Sequence, residues 1–429
     1  MGRVAAALLS LGLVAACTRP SLHAKLPADH CRTAWCATVE PDGDVVDVTL
    51  SIPPRAGAGR AHVELAFVEG LLGRGFTARS VRLLDDGDER PWPGHFERSD
   101  RPQTIRYRVR LEQSARLEVL RELSFEHTRG WHLKGYSFLP HPAATTGDDP
   151  PALLRFVLPE GQRALSSVVA TESTFHGRSL TELVRATYEI GDPHHHCLRA
   201  EHGLVCVASS TDEALEETAR FVRTAMEETA SLLGPLDEPN VLISIHPASL
   251  PTPLGLSVGS GVLVLADGPP LETSPTSFAL VHEIVHLWHP GGRRVASLWL
   301  REGLAEYFAH QIIARMSTQG QDEFLARVLE AHRRTRGHGP FEVASGDDVY
   351  AVGVMAGFCL DKLLAPSGAS TAKVVKRLLD QVPANTPAAV TDDWFFAEVA
   401  KASASSAGYF RLMMQEPEFD FSKCLTTRL

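Results

Sequence analysis

The sequence predicts a multidomain α+β fold, in which an N-terminal β-sandwich-like domain precedes a mixed α/β domain and a helical C-terminal part. Three patterns along the chain predict it. Alternation of apolar and polar residues dominates residues 37–165, as in half-buried antiparallel strands. Residues 166–345 combine short apolar strands with long amphipathic helices, and helical patterns dominate residues 346–429. A chain of 429 residues is long enough for this number of domains.

The first residues have the pattern of an export signal. Residues 1–16 carry one basic residue, Arg3, and then an apolar run that is too short to span a bilayer. The run ends in Val-Ala-Ala-Cys, which resembles a bacterial lipobox, in which Cys17 is acylated and becomes the new N-terminus. Thr18 is not the aspartate that retains many such lipoproteins at the inner membrane. We therefore expect a lipid-anchored envelope protein, facing the periplasm or sorted to the outer membrane, with residues 17–36 as its tether; a plain cleaved signal peptide is the alternative.

Net charge and cysteine content indicate which kinds of partner are unsuitable and which cellular compartment the protein occupies. A net charge of −10 without a Lys/Arg-rich block argues against nucleic acid or an anionic membrane surface as a partner. An even number of further cysteines in an exported protein suggests disulfides. The pairs that close short loops or tie down the C-terminal tail are Cys31–Cys36, Cys197–Cys206 and Cys359–Cys424. Fifteen connectivities are possible, so the sequence alone does not choose between them.

Strand and helix patterns follow the chain in the predicted order. In the β region, IRYRVRL (105–111) alternates apolar residues with arginines. Residues 211–234 form a long amphipathic helix with an acidic first turn and a terminal glycine. NVLISIH (240–246) and GVLVLADG (261–268) are short apolar strands. The histidine triplet 194–196 follows a proline, and we expect a solvated loop there rather than a metal site.

One apolar helix contains three ionisable residues. It is the segment SFALVHEIVHLWHP (277–290), and Ser274 has the pattern of its N-cap. His282 and His286 are four residues apart, so they lie on one face and can bind the same metal ion. Glu283 lies beside that ion without binding it, where it can take a proton from an activated water and pass it to a leaving amine. Because unpaired buried charges are costly, we predict that zinc is the partner of this motif.

A hydrolytic zinc site needs a third protein ligand and one open position. The next helix, SLWLREGLAEYFAHQIIARM (297–316), offers Glu302. Glu306 lies one turn further on the same face, and we assign to it the orientation of a zinc-bound imidazole, while its use as the ligand stays open. A solvated acidic face is the alternative for both. A purely structural zinc would need a fourth ligand such as His289 or His310, which we expect at a helix end or on the surface.

Together these residues resemble the gluzincin metallopeptidases. H-E-x-x-H followed by W-L-x-E-G-x-x-x-Y (299–307) is similar to the glycyl aminopeptidase family and, more distantly, to the aminopeptidase N and leukotriene hydrolase group. TELVRATYEIGD (181–192) resembles the segment that leads into the catalytic domain of that family. VYAVGVMAGFCLD (349–361) resembles its Tyr-x-x-Gly helix.

The resemblance implies a fold, a cofactor and a reaction. It implies a thermolysin-like zinc peptidase domain with one zinc per chain, acting on a peptide or protein substrate. The metal ligands would be His282, His286 and Glu302, with Glu283 as the general base. Tyr350 would hydrogen-bond the oxyanion of the tetrahedral intermediate; an ordinary packed tyrosine is the alternative.

The chain departs from these families at two places near the motif. Residues 255–268, the Gly-rich segment before the zinc helix, contain no carboxylate before Asp267 that could bind a free amine, and Val352 stands where the family usually has a lysine. The choice between endo- and exopeptidase therefore stays open. A catalytically inactive scaffold that binds peptides or an envelope protein is the alternative function. We expect the strand in GVLVLADG at the sheet edge, where a substrate backbone adds as a further strand.

Overall fold

The computed structural model describes most of the chain from His30 onward. The described residues are 30–54, 62–67, 81–85, 88–97, 100–110, 124–142, 150–171, 174–200, 203–236, 240–270, 273–288, 295, 297–335, 348–381, 390–415 and 424. The expected signal peptide, Cys17 and His289 lie outside this part of the chain.

The N-terminal region is built from strands, as its alternating pattern predicts. In chain order they are β1 (Trp35–Asp42), β2 (Val45–Ile52), β3 (His62–Ala66), β4 (Val81–Asp85), β5 (Asp88–Pro91), β6 (His95–Glu97), β7 (Gln103–Arg110), β8 (Phe125–His127), β9 (Gly130–Lys134), β10 (His141–Pro142), β11 (Ala152–Phe156), β12 (Arg163–Ser166), β13 (Val169–Thr171), β14 (Thr174–Gly177) and β15 (Thr187–Gly191). Within the described residues they form an eight-stranded sheet (β13-β14-β11-β1-β2-β7-β4-β5), a three-stranded sheet (β10-β3-β6) and a four-stranded sheet (β12-β15-β9-β8). Neighbouring strands are antiparallel except for β1 and β11.

One hydrophobic core joins these sheets. It takes Val48 from the large sheet, Leu65 from the small one and Leu133 from the four-stranded sheet, together with the short helix α1 (Leu180–Arg185). The strands continue past the boundary expected at residue 165, because β14 pairs with β11 and β15 pairs with β9. The N-terminal sheets thus extend to Gly191.

The chain then forms a mixed sheet that carries the histidine helix. Its elements are β16 (His194–Ala200), β17 (Gly203–Ser209), α2 (Leu215–Leu233), β18 (Asn240–Pro247), β19 (Leu254–Val258), β20 (Gly261–Ala266) and α3 (Pro275–Leu287). The strand order is β16-β17-β18-β20-β19, parallel in the middle and antiparallel at both ends. Two expectations are therefore wrong. The histidine triplet 194–196 lies in a strand rather than a loop, and β19 rather than β20 forms the edge.

Helices complete the fold, as predicted for the C-terminal part. They are α4 (Leu304–Met316), α5 (Thr318–Thr335), α6 (Asp348–Leu364), α7 (Thr371–Gln381), α8 (Asp392–Ala402) and α9 (Ala404–Gln415), and a π-helical turn at Trp299–Gly303 precedes α4. The segment Asp348–Ser367 is the only helix among the described residues that is long and apolar enough to cross a membrane. It is largely buried, since α6 packs against α4 and α5 in the same core as the mixed sheet.

The structure selects one of the possible disulfide connectivities, the one that closes two short loops and ties down the C-terminal tail. Cys31 pairs with Cys36 before β1, and Cys197 pairs with Cys206 across the β16–β17 hairpin. Cys359 of α6 pairs with the buried Cys424, so the C-terminal tail is tied to the helical core.

Candidate active site

The histidine helix α3 begins where its cap predicts. The hydroxyl of Ser274 accepts a hydrogen bond from the backbone N–H of Ser277, and Pro275 occupies the first turn, where its missing N–H costs nothing. The helix packs between β19 and β20 on one side and α4 on the other. Because it is covered on both sides, His282 and Glu283 are buried.

Three ligand atoms from α3 and the π-helical turn meet at one point. Nε2 of His282 lies 3.0 Å from Nε2 of His286, and Oε2 of Glu302 lies 3.4 and 3.2 Å from these two nitrogens. A tetrahedral zinc ion at about 2.0–2.1 Å from each ligand would separate its ligand atoms by about 3.3 Å. The donor set and its spacing therefore fit zinc.

Glu302 is placed by the π-helical turn that leads into α4. Such wide turns (i→i+5) are rare and frequently occur at functional sites. The turn lies close to α6, because Gly303 and Gly353 touch backbone to backbone and a Cβ on either would overlap with the other. The second carboxylate oxygen of Glu302, Oε1, accepts a hydrogen bond from Nε of Arg301 at 2.7 Å. Oε2 is thereby directed toward the two histidines.

Glu306 contacts the imidazole of His282, which is the position that the sequence predicts for it. Its Oε2 lies 3.1 Å from Nδ1 of His282, and its Oε1 lies 3.1 Å from Nε2 of His310 and 3.2 Å from Nη2 of Arg327. A proton on Nδ1 of His282 leaves the lone pair of Nε2 for a metal ion. His310 is buried in the middle of α4 and binds Glu306, so its expected place at a helix end or on the surface is wrong.

The protonation states of these groups follow from their contacts. Burial lowers the pKa of His282, but hydrogen bonds to Glu302 and Glu306 outweigh it and raise the pKa to about 10. Burial raises the pKa of both glutamates, but the neighbouring histidines outweigh it and hold both values well below the usual range. Both carboxylates are thus ionised, as ligands must be. A metal ion that binds here displaces the proton on Nε2 of His282, while the proton on Nδ1 stays.

Glu283 lies beside the ligand atoms and against the edge strand. Burial raises the pKa of its carboxyl group, against the opposite effect of His286 and His282. A Cβ on Gly255 of β19 would lie 2.6 Å from Oε1 of Glu283, so only a glycine fits there. Close to neutral pH, a carboxylate with a raised pKa is a better base than one with an ordinary value.

Tyr350 lies near the site, and Val352 belongs to the hydrophobic core. The ring centroid of Tyr350, in the first turn of α6, is 5.7 Å from that of His282. Val352, which replaces the lysine usual in the resembled families, is fully buried in the helical core.

The structure adds residues that the sequence interpretation missed. Arg327 of α5 and the buried His310 hold Glu306 from its far side; the spacing of four residues between Glu306 and His310 was a signal for the second of these. Lys134 of β9 is fully buried and interacts electrostatically with Glu283. A lysine is rarely buried in a strand, so its place in the pattern of β9 was a signal that could have identified Lys134 from the sequence.

The fold is similar to those of solved zinc metallopeptidases. An aminopeptidase N family protein from Idiomarina loihiensis superposes with a TM-score of 0.67 at 15% identity, covering 91% of this chain and 75% of that one. An M1 zinc metallopeptidase from Deinococcus radiodurans superposes with a TM-score of 0.55 at 15% identity, and the match covers 90% of this chain and 95% of that one. A third structure is a variant of an M1 zinc metallopeptidase from the same organism, bound to a Tyr-Ser-Ala substrate. Its TM-score is 0.54 at 16% identity, with the same coverage of both chains. No protein-family model and no curated protein matches the sequence. At these identities the likeness shows a common fold.

Proposed function

We propose that this protein is a zinc-dependent metallopeptidase that hydrolyses peptide bonds, with Glu283 as the general base. The observation that carries the proposal is the triangle of His282, His286 and Glu302 ligand atoms beside a buried carboxylate of raised pKa. Zinc peptidases of similar fold, one with a bound tripeptide substrate, support the same conclusion.

Each residue of the site has a separate task in this reaction. When bound by His282, His286 and Glu302, zinc supplies a Lewis acid that activates water and polarises the scissile carbonyl. Glu283 accepts the proton of the attacking water on its carboxylate and delivers it to the leaving amine. The hydroxyl of Tyr350 donates to the oxyanion that develops at the attacked carbonyl.

The edge strand β19 is our candidate for substrate binding. It pairs with β20 on one side, and its backbone at Gly255 lies against Glu283. A peptide that adds to the free side of an edge strand forms main-chain hydrogen bonds, which accept any sequence of side chains. Residues Leu254–Val258 include no carboxylate. The proposal therefore includes no recognition of a free amino terminus.

We also propose that the protein is exported and anchored to the bacterial envelope by a lipid on Cys17. Three disulfides support an oxidising compartment. An inactive scaffold that binds peptides is the second candidate function. Two features favour it: β19 has no amine-binding carboxylate, and the buried Val352 stands at a position where related peptidases have lysine.

The test compares residues 18–429 with the Glu283→Gln variant and with Glu330→Gln, a surface control from an exposed ion pair on α5. Zinc content is measured by mass spectrometry and cleavage with a peptide library. Glu283→Gln is expected to hold as much zinc as the wild type, since Glu283 is not a ligand, and to lose about 10²–10⁴-fold in turnover. Glu330→Gln should match the wild type in both.

The alternatives give different results. Zinc binding without cleavage by any of the proteins would favour the inactive scaffold. Absence of zinc at His282, His286 and Glu302 would overturn the proposal altogether. Where cleavage occurs, the cut positions distinguish an endopeptidase from an exopeptidase.

A further inference from the structure

A second cluster of histidines surrounds one glutamate where the four-stranded sheet meets the mixed sheet. Glu189 of β15 is fully buried, and His132 of the neighbouring strand β9 is buried beside it. His127 comes from β8, and His246 comes from β18 of the mixed sheet. Their side chains are 5% and 2% exposed, so the cluster is closed to solvent.

The ligand atoms of this cluster converge as those of the active site do. Nε2 of His127 lies 3.1 Å from Oε2 of Glu189, and Nε2 of His246 lies 3.1 Å from Oε1. The three ligand atoms all lie within 4.8 Å of one another. The imidazole rings of His127 and His246 are neighbours, with centroids 4.5 Å apart. Nδ1 of His132 also contacts Oε1 and fixes the orientation of the carboxylate.

The hydrogen bonding of the cluster is incomplete without a further partner. Among the described residues, Nε2 of His132 and Nδ1 of His246 are buried and have no hydrogen-bond partner, although neither is one of the converging ligand atoms. Two imidazoles and a carboxylate are a common donor set for zinc and other first-row divalent ions.

We propose that His127, Glu189 and His246 bind a second divalent transition-metal ion, with Zn²⁺ as the best-matched ion, and that this ion joins the N-terminal sheets to the mixed sheet. Structural zinc sites usually have four protein ligands and this one has three, but the site is closed to solvent, so no substrate can reach the ion as it does in a catalytic site. Its role is therefore structural, and it does not depend on the peptidase proposal. Binding at Nε2 of His127 requires the proton on Nδ1, so Nδ1 would no longer accept the 3.2 Å hydrogen bond from the N–H of Arg129.

The first experiment counts the metal ions bound to residues 18–429, the same protein as in the peptidase test. The protein is stripped with a chelator, reloaded with Zn²⁺, freed of excess metal and measured by mass spectrometry. We expect two zinc ions per chain in the wild type and one in each of two variants, His246→Gln and His286→Ala. The exposed His176 serves as the control, since His176→Gln should keep both ions.

The His286→Ala protein tests the cluster without any change in it. Its one remaining ion should be lost when His246→Gln is added, and Zn²⁺ should raise its unfolding temperature only while the cluster is intact. A wild type that holds one ion, which His286→Ala removes, would overturn the proposal and leave the cluster as a hydrogen-bonded network. A wild type that holds one ion, which His246→Gln removes, would support it and refute the active-site zinc.

Discussion

On the side of the edge strand β19, the side chain of Glu283 lies against backbone rather than against another side chain. Gly255 of β19 lies against it, and a Cβ there would lie 2.6 Å from the carboxylate oxygen Oε1. A glycine is therefore needed here for a close approach of strand and base, not for an unusual backbone angle, since Gly255 has no positive φ. The position of the base relative to the edge strand depends on this contact.

Replacement of Gly255 by alanine should separate catalysis from metal binding. The added methyl group must displace either the carboxylate of Glu283 or strand β19, and a shift of about 1 Å in a catalytic group costs about 10²-fold in rate. We expect kcat/KM on a cleaved peptide to fall by about that factor, with unchanged zinc content, because the methyl group contacts none of the proposed ligands.

The matched control is Gly408→Ala in α9, where a Cβ meets open space. It should leave activity unchanged and raise stability by a few tenths of a kcal/mol to about 1 kcal/mol, as glycine-to-alanine changes in helices do. Wild-type activity of Gly255→Ala would show that the base tolerates a displaced strand, and would contradict the assignment of β19 to substrate binding.

At the scale of elements, the active site depends on how closely α6 approaches the π-helical turn. Gly303 and Gly353 touch through their backbones, and in α6 Tyr350 lies one turn before Gly353, with its ring 5.7 Å from that of His282. Neither backbone can move aside within its own helix, so a side chain at Gly353 would push the two segments apart.

We therefore predict that Gly353→Ala lowers both stability and zinc affinity. Overpacking of a tight core contact costs about 1–3 kcal/mol, and separation of the two segments displaces Glu302 from the two histidines. Urea unfolding and zinc titration measure the two effects. Unchanged zinc affinity in a destabilised protein would show that the π-helical turn holds Glu302 without help from α6. Gly408→Ala is again the control.

The elements also show which parts of the site were predictable from sequence. His282, Glu283 and His286 were predictable because a spacing of four residues on one helix fixes their geometry locally. The next helix offered Glu302 as the third ligand, with Glu306 left open, and only the role of Tyr350 required the family resemblance. The edge position of β19 was not predictable, because strand order depends on pairing between segments distant in sequence. The same applies to the cluster around Glu189, whose histidines come from three different strands.

At the scale of the whole molecule, Lys134 connects the two halves of the fold. It lies on β9 of the four-stranded sheet, and its Nζ donates a hydrogen bond to Oγ1 of Thr187 at 2.8 Å. It also interacts electrostatically with Glu189 and, in α3, with Glu283. Burial lowers the pKa of Lys134 to about 7, although both glutamates oppose this effect.

The low pKa of Lys134 makes stability depend on pH in a definite direction. In the unfolded chain the pKa of a lysine is about 10.4, so between pH 7 and 10 the unfolded state holds a proton that the folded state has lost. Stability then rises with pH across this range, by at most roughly 1.4 kcal/mol per pH unit. Below pH 7 the lysine is charged in both states, and its contribution no longer changes.

Lys134→Met removes this titration and keeps the apolar part of the side chain. Compared with the variant, the wild type should therefore gain stability as the pH rises from 7 to 9, whereas the difference between them should stay constant from pH 5.5 to 6.5. The difference in stability is measured from the midpoints of urea unfolding, in a chelating buffer that keeps both proteins free of metal. Lys376→Met, at an exposed ion pair with Asp380, should show no such trend. A difference that stays flat up to pH 9 would mean that Lys134 remains charged, and that its ion pairs with Glu189 and Glu283 outweigh its burial.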